Sequence, residues 1–120
     1  MKFTYFHLMP WPHLPEDFEA TERSAWVTYS NGNFDPQRGQ ELYQQYLSEL
    51  LYAEELGYDA IAVNEHHQTA YGLMPAPNIM ASWLIANTTR AKIAILGNAI
   101  NLRDHPLRVA DRSITSDFWA

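Results

Sequence analysis

The chain has 120 residues, 47% of them hydrophobic and 18% charged, a balance that suits a packed core and lies far from that of disordered chains. Eight Lys and Arg against fourteen Asp and Glu give a formal net charge of −6, which argues against a basic nucleic-acid footprint and a polybasic membrane anchor. There is no cysteine, so disulfide scaffolds, thiolate metal sites and cysteine nucleophiles are excluded. No apolar run approaches the roughly 18 residues of a transmembrane helix. Met1 to Trp11 has one Lys, a proline at position 10 and no small-residue cleavage site, so no signal peptide is expected and a cytoplasmic, single-domain chain over 1–120 is.

Lys2 to Met9 is rich in aromatic and β-favouring residues (Phe3, Thr4, Tyr5, Phe6) and is closed by Pro10, which predicts a strand near 2–9. A long polar-aromatic stretch follows over 10–35, with Pro12, Pro15 and the turn signal Asn31-Gly32-Asn33. It is too long for an ordinary connection and suits a functional loop or lid, although its Trp and Tyr residues fit a loop-anchoring cluster equally well. Asp35-Pro36 reads as an N-cap followed by proline at the first helical position. Leu42, Tyr43, Tyr46, Leu47, Leu50, Leu51 and Ala53 then recur at helical spacing, which predicts a helix over 36–56 with Gly57 as its left-handed stop.

Tyr58 to Asn64 is a short, mostly apolar run of the kind found in buried parallel strands. A turn-rich loop leads to a second helix over 77–88, apolar almost all round and so expected to be packed on most sides. A third strand is predicted over 91–100 and a third helix over 106–117. The order β-α-β-α-β-α implies parallel strands with right-handed crossovers. An open doubly wound sheet would favour a glycine-rich phosphate turn after the first strand, and His7-Leu8-Met9-Pro10 has none. A (β/α)₈ barrel needs about 250 residues, so in that architecture the chain is a fragment of about three βα units.

In either architecture the chemistry sits at the C-terminal ends of the strands. The first end gives His7 to Pro10, the second Asn64-Glu65-His66-His67, and the third Gly97-Asn98 with Ala99 to Asn101. The second is the conspicuous one, because three titratable side chains follow an apolar strand without a break. A histidine there orients a substrate or moves a proton, and a neighbouring carboxylate fixes its tautomer. Adjacent residues of extended chain point to opposite sides, so one of His66 and His67 faces the site and the other packs or hydrogen-bonds. Nothing shows His-x-His or a helical i, i+4 pair, which disfavours a metal site. Gly97 within a strand pattern allows either a close approach of ligand to backbone or a simple strand-end turn. His13 reads as a surface residue, His105 as a brace for the helix after Pro106, and the acidic face of the 36–56 helix as solvated.

Phe6-His7-Leu8-Met9-Pro10, Glu54-Glu55-Leu56-Gly57-Tyr58-Asp59, Asn64-Glu65-His66-His67-Gln68 and Tyr71 to Asn78 together resemble the luciferase-like monooxygenases, the flavin-dependent group that includes bacterial luciferase. Leu96-Gly97-Asn98 and His105-Pro106-Leu107-Arg108-Val109-Ala110 continue the resemblance in the same order, over about residues 1–111. It implies the N-terminal part of a truncated (β/α)₈ TIM barrel, and chemistry with dioxygen and reduced FMN from a separate NAD(P)H-dependent flavin reductase, or with a deazaflavin. His66 then matches the catalytic histidine, Glu65, Gly97 and Asn98 line the flavin, and His7, Met9 and His67 lie toward a small organic substrate. A non-prolyl cis peptide is expected at Gly97-Asn98. Past Ala110 the pattern departs, with Arg112, Ser113, Thr115 and Ser116 in place of acidic and apolar residues.

A three-stranded parallel piece exposes strand edges and an apolar face. Alone, it is expected to be unstable, to bind flavin weakly or not at all and to turn nothing over. Two rival roles are a non-catalytic barrel remnant that pairs with a barrel or a second copy of the chain as a homodimer, and a metal-dependent barrel hydrolase. The hydrolase is disfavoured by the single His7 where such enzymes place a His pair.

Overall fold

The structure, a computed structural model, describes residues 1–67, 69–107 and 109–110. Strands β1 (Thr4–Phe6), β2 (Ala60–Asn64) and β3 (Lys92–Leu96) form one sheet in the order β1-β2-β3. Both pairings are parallel, with Tyr5 opposite Ile61 and Ile61 opposite Ile93. Helix α1 (Phe18–Thr21) is a single turn within the long loop, α2 (Pro36–Glu55) connects β1 to β2, and α3 (Pro77–Asn87) connects β2 to β3. Pro106, Leu107, Val109 and Ala110 are helical, and the rest of the predicted 106–117 helix lies outside the described residues.

The local signals act as the sequence implies at α2. Asp35 caps it, its Oδ1 accepting from the backbone N–H groups of Gln37 and Arg38 at 2.9 and 3.1 Å. Gly57, at φ +91°, ends it with the left-handed turn that other residues resist. Leu42, Tyr46, Leu50 and Ala53 of α2 join Met80 and Leu84 of α3 and Ile61 and Val63 of β2 in one core. Ile93 and Ile95 pack against it from β3. Side chains alternate along a strand, so both helices cover the same sheet face. The other face carries Thr4, Phe6, Ala60, Ala62, Asn64, Lys92, Ala94 and Leu96, with Phe6 44% and Leu96 53% exposed.

Two predicted strands are shorter than expected. β1 stops at Phe6 because Met9 takes a left-handed conformation, φ 51°, held by its N–H on His7 Nδ1 and by Leu73 N–H on its carbonyl. β3 stops at Leu96 because Gly97, at φ +105°, turns the chain out of the sheet, and Ile100–Leu102 then forms a 3₁₀ turn. Helix α3 is less enclosed than its composition suggests: it packs on β2, β3 and α2, and Ile79 on its far side is exposed. Among the described residues no helix is long and apolar enough to cross a membrane.

Candidate functional site

The C-terminal ends of β2 and β3 meet in a polar cluster built around Glu65. Its side chain is 4% exposed and accepts three hydrogen bonds. Oε2 takes the Ala99 backbone N–H at 2.8 Å, and Oε1 takes Arg103 Nη2 at 2.9 Å and lies 2.7 Å from His67 Nε2. Burial pushes the Glu65 carboxyl up, but the Ala99 N–H, His67 and the Arg103 guanidinium outweigh it and hold the group below the ordinary carboxylate range. Glu65 is therefore an anion at neutral pH, tying the loop after β3 to the end of β2. Arg103 Nη2 also reaches Asn98 Oδ1 at 3.3 Å, and the Asn98 and Asn78 amides exchange reciprocal hydrogen bonds at 3.3 and 3.2 Å.

His66 points the other way, as alternation requires. Its imidazole stands perpendicular to two stacked rings: the centroid of Trp26 is 5.3 Å away and that of Tyr71 is 4.9 Å away. Trp26 comes from the long loop and is 54% exposed, and it lies nearly parallel to Tyr71. The His66 backbone N–H donates to the Met74 carbonyl at 3.0 Å. Gly72 completes the seat, because a Cβ there would come within 3.1 Å of His66 Cβ and Cδ2 and of the Leu8 carbonyl. The ring is thus held by an aromatic pair and by close backbone.

The structure gathers Glu65, His67, Asn98 and the Gly97 turn at the ends of β2 and β3, with His66 beside them, and turns His7 and Met9 toward the helix-covered core. His7 lies on the helix-covered face of the sheet, its Nε2 2.9 Å from Glu49 of α2. Its Nδ1 accepts from Met9 N–H at 2.8 Å, so Nε2 carries the proton and donates to the carboxylate. Met9 is fully buried in the core. These two residues shape the loop after β1. The expected cis peptide at Gly97-Asn98 is not present: no described peptide bond is cis, and the positive φ of Gly97 makes the turn instead. His105 caps the helix that starts at Pro106, its Nδ1 accepting from Leu107 N–H at 3.1 Å.

Several neighbours of the site escape sequence reading. Arg103 lies 38 residues from Glu65, and no local pattern links them. Trp26 was signalled only as one aromatic residue of a long loop. Asn64 reads as a strand end, yet it is 3% exposed, and neither its Oδ1 nor its Nδ2 has a hydrogen-bond partner among the described residues. Beyond Gly72 lies an apolar recess of about 380 Å³, walled by Trp11, Tyr29, Phe34, Tyr43, Leu73 and Pro75. Among the described residues no group of three or more His, Asp or Glu side chains is placed to hold a metal ion.

A sequence profile of the luciferase-like monooxygenases matches residues 22–117, most of the chain and every element after β1 and α1. This chain belongs to the luciferase-like monooxygenase family. It is also similar to the alkanal monooxygenase beta chain of Vibrio harveyi, with 32% identity over 77 residues. That match covers 64% of this chain and 24% of the relative, so it accounts for about a quarter of the relative's length. The parallel sheet with helices on one face agrees with part of a luciferase-like barrel wall.

Proposed function

We propose that the chain supplies flavin-facing strand ends of a luciferase-like monooxygenase, and that its three βα units are part of a (β/α)₈ barrel. The observation that carries this is the division of labour at the end of β2: Glu65 locks the β2 and β3 ends together while His66, beside it, is held in an aromatic seat. A flat heteroaromatic ring fits here for a physical reason. On the sheet face opposite the helices, Ala60, Ala62 and Ala94 place only methyl groups between Phe6 and Leu96, with Ala62 itself fully buried. Gly97 leaves the strand end without a side chain, so a ligand can approach the backbone.

Reduced flavin, when bound, supplies the two electrons that let dioxygen give one oxygen atom to an organic substrate and the other to water. In this assignment Gly97 and Asn98 line the flavin, and Glu65 fixes the loop that carries them. His66 accepts or delivers a proton at its imidazole and orients the substrate. His67 holds Glu65 on the solvent side. The apolar recess behind Gly72 takes the hydrocarbon part of a small substrate, and Trp26 limits water at His66. FMN reduced by a separate NAD(P)H-dependent reductase is the assigned cofactor, with a deazaflavin as the alternative.

The test is an anaerobic titration of the isotope-labelled chain with reduced FMN, followed residue by residue by NMR, a method that reads weak binding. Weak but saturable shifts at Glu65, His66, Gly97 and Asn98 are expected. A chain that melts cooperatively yet shows no shift at these residues would refute the assignment. One observation favours a non-catalytic role: Phe6 and Leu96 are exposed on the sheet face that the helices leave open. Concentration-dependent pairing that protects this face, without any flavin response, would establish that role instead.

A further inference from the structure

We infer that His7 is a positioning residue and a proton-sensitive latch. With its proton on Nε2 it holds the turn after β1, and through that turn the loop on which His66 is seated; a second proton, on Nδ1, releases both. The two ring nitrogens are already committed. Nε2 donates to Glu49 Oε2 of α2 at 2.9 Å, and Nδ1 accepts the Met9 N–H at 2.8 Å. Met9 is fully buried at φ 51°, a left-handed conformation that a residue other than glycine keeps only where its surroundings hold it. Its carbonyl accepts from the Leu73 N–H at 2.8 Å, and the Leu8 carbonyl lies 3.1 Å from where a Cβ of Gly72 would stand. The segment held in this way makes most of the seat of His66. It supplies the Tyr71 ring, the bare backbone of Gly72 and the Met74 carbonyl that accepts the His66 N–H.

An imidazolium has two N–H donors and no acceptor, so a proton on Nδ1 would face the Met9 N–H, donor against donor. The ring has little room to turn away. Its side chain is 10% exposed, and its centroid lies 4.6 Å from that of Tyr46 and 5.9 Å from that of Tyr5. Glu49 anchors the other edge. The Gln45 amide holds the Glu49 carboxyl below the ordinary range, with burial opposing and His7 adding, so it stays an anion and grips a charged ring more strongly. Among the described residues the other titratable groups at the ring are Tyr5 and Tyr46, with Tyr58 behind Tyr5. Burial, and then the charge of Glu49, raise the Tyr5 and Tyr46 phenols, which keeps both neutral. What yields to the proton is therefore the backbone at Met9, and its link to Leu73 and Gly72 yields with it.

The test is an NMR pH titration of the isotope-labelled 120-residue chain without flavin, so its outcome is separate from that of the proposed function. Between about pH 7.5 and about pH 5.5, where imidazoles ordinarily change charge, the Met9, Gly72 and Leu73 amides are expected to move with the midpoint of the His7 ring. Protection of the Met9 amide from hydrogen exchange, corrected for the intrinsic rate, is expected to fall about tenfold over that range. His7→Asn puts a carbonyl oxygen near the place of Nδ1 with nothing to titrate, and should keep these amides at their neutral positions throughout. His7→Gln reaches toward Glu49 instead, and should lose the Met9 protection at every pH. The inference is overturned if the His7 ring does not titrate in this range, or if the Met9 amide stays in place while it does. A parent-like pH response in His7→Asn, or full Met9 protection in His7→Gln, would also overturn it. Movement at Met9 without movement at Gly72 and Leu73 would refute the positioning role, by showing that the turn is not coupled to the seat of His66.

Discussion

Two acidic residues hold opposite ends of the same sheet, and they do it differently. Near the N-terminal end of β3, Glu54 accepts from the backbone N–H groups of Thr89, Arg90 and Ala91, while the Arg90 guanidinium caps the carbonyls of Glu54 and Tyr58. At the C-terminal end, Glu65 accepts one backbone N–H, and its other partners are the side chains of His67 and Arg103. The first is a clasp on main chain, closed and complete. The second is built mainly from side chains, and it sits beside the aromatic seat of His66.

The comparison breaks or sharpens on substitution. Glu65→Ala should cost the more of the two, about 3 kcal/mol or above, because it leaves the mostly buried Arg103 guanidinium and the Ala99 N–H without their acceptor. Its NMR changes should stay confined to the loop after β3. Glu54→Ala removes the acceptor of three main-chain donors, two of them exposed to water, and is expected to cost about 1–2 kcal/mol in chemical denaturation, with Glu54→Gln recovering part of the loss. Equal losses for the two variants would contradict the asymmetry. Gly72→Ala is expected to cost about 1 kcal/mol while moving the His66 resonances, since the new methyl meets both that side chain and the Leu8 carbonyl.

Acid gives the smallest effect and tests both ends at once. Burial raises the Glu54 carboxyl, but the N–H groups of Ala91, Arg90 and Thr89 and the charge of Arg90 more than offset it, so Glu54, like Glu65, sits below the ordinary carboxylate value of 4.5. A carboxylate with a lowered folded value contributes stability that is fully present above its unfolded value and is lost as pH falls through the folded one. Stability should therefore hold steady down to about pH 5 and decline below 4.5, less steeply in Glu54→Gln than in the parent.

The elements were legible where the signal is local. Asp35-Pro36 and Gly57 bracket α2 because capping and left-handed turns are decided within a few residues, and the apolar run before Glu65 marks β2 for the same reason. The cluster at Glu65, His66 and Gly97-Asn98 was legible as a set of strand ends. Arg103, Trp26 and the clasp at Glu54 were not, since each depends on residues 30 or more positions apart meeting only after the sheet forms. His7, which the family resemblance sets toward the substrate, has its ring turned by the pleat toward α2 and Glu49, a contact that no local pattern announces.

Tyr43 and Tyr46 sit about one turn apart on α2, and each hydroxyl grips a different loop: Tyr43 donates to the Leu73 carbonyl and Tyr46 to the Pro10 carbonyl, the latter at 2.6 Å. Burial raises both phenols, with Glu49 adding to Tyr46, so they remain donors well past neutral pH. The two loops are also stitched to each other through Trp11 N–H to the Ala70 carbonyl and Leu73 N–H to the Met9 carbonyl. In mechanical terms the helix is a lever with two loads on one arm. Any displacement of α2 would therefore move both loops together, and one of them carries Gly72, against which His66 is seated.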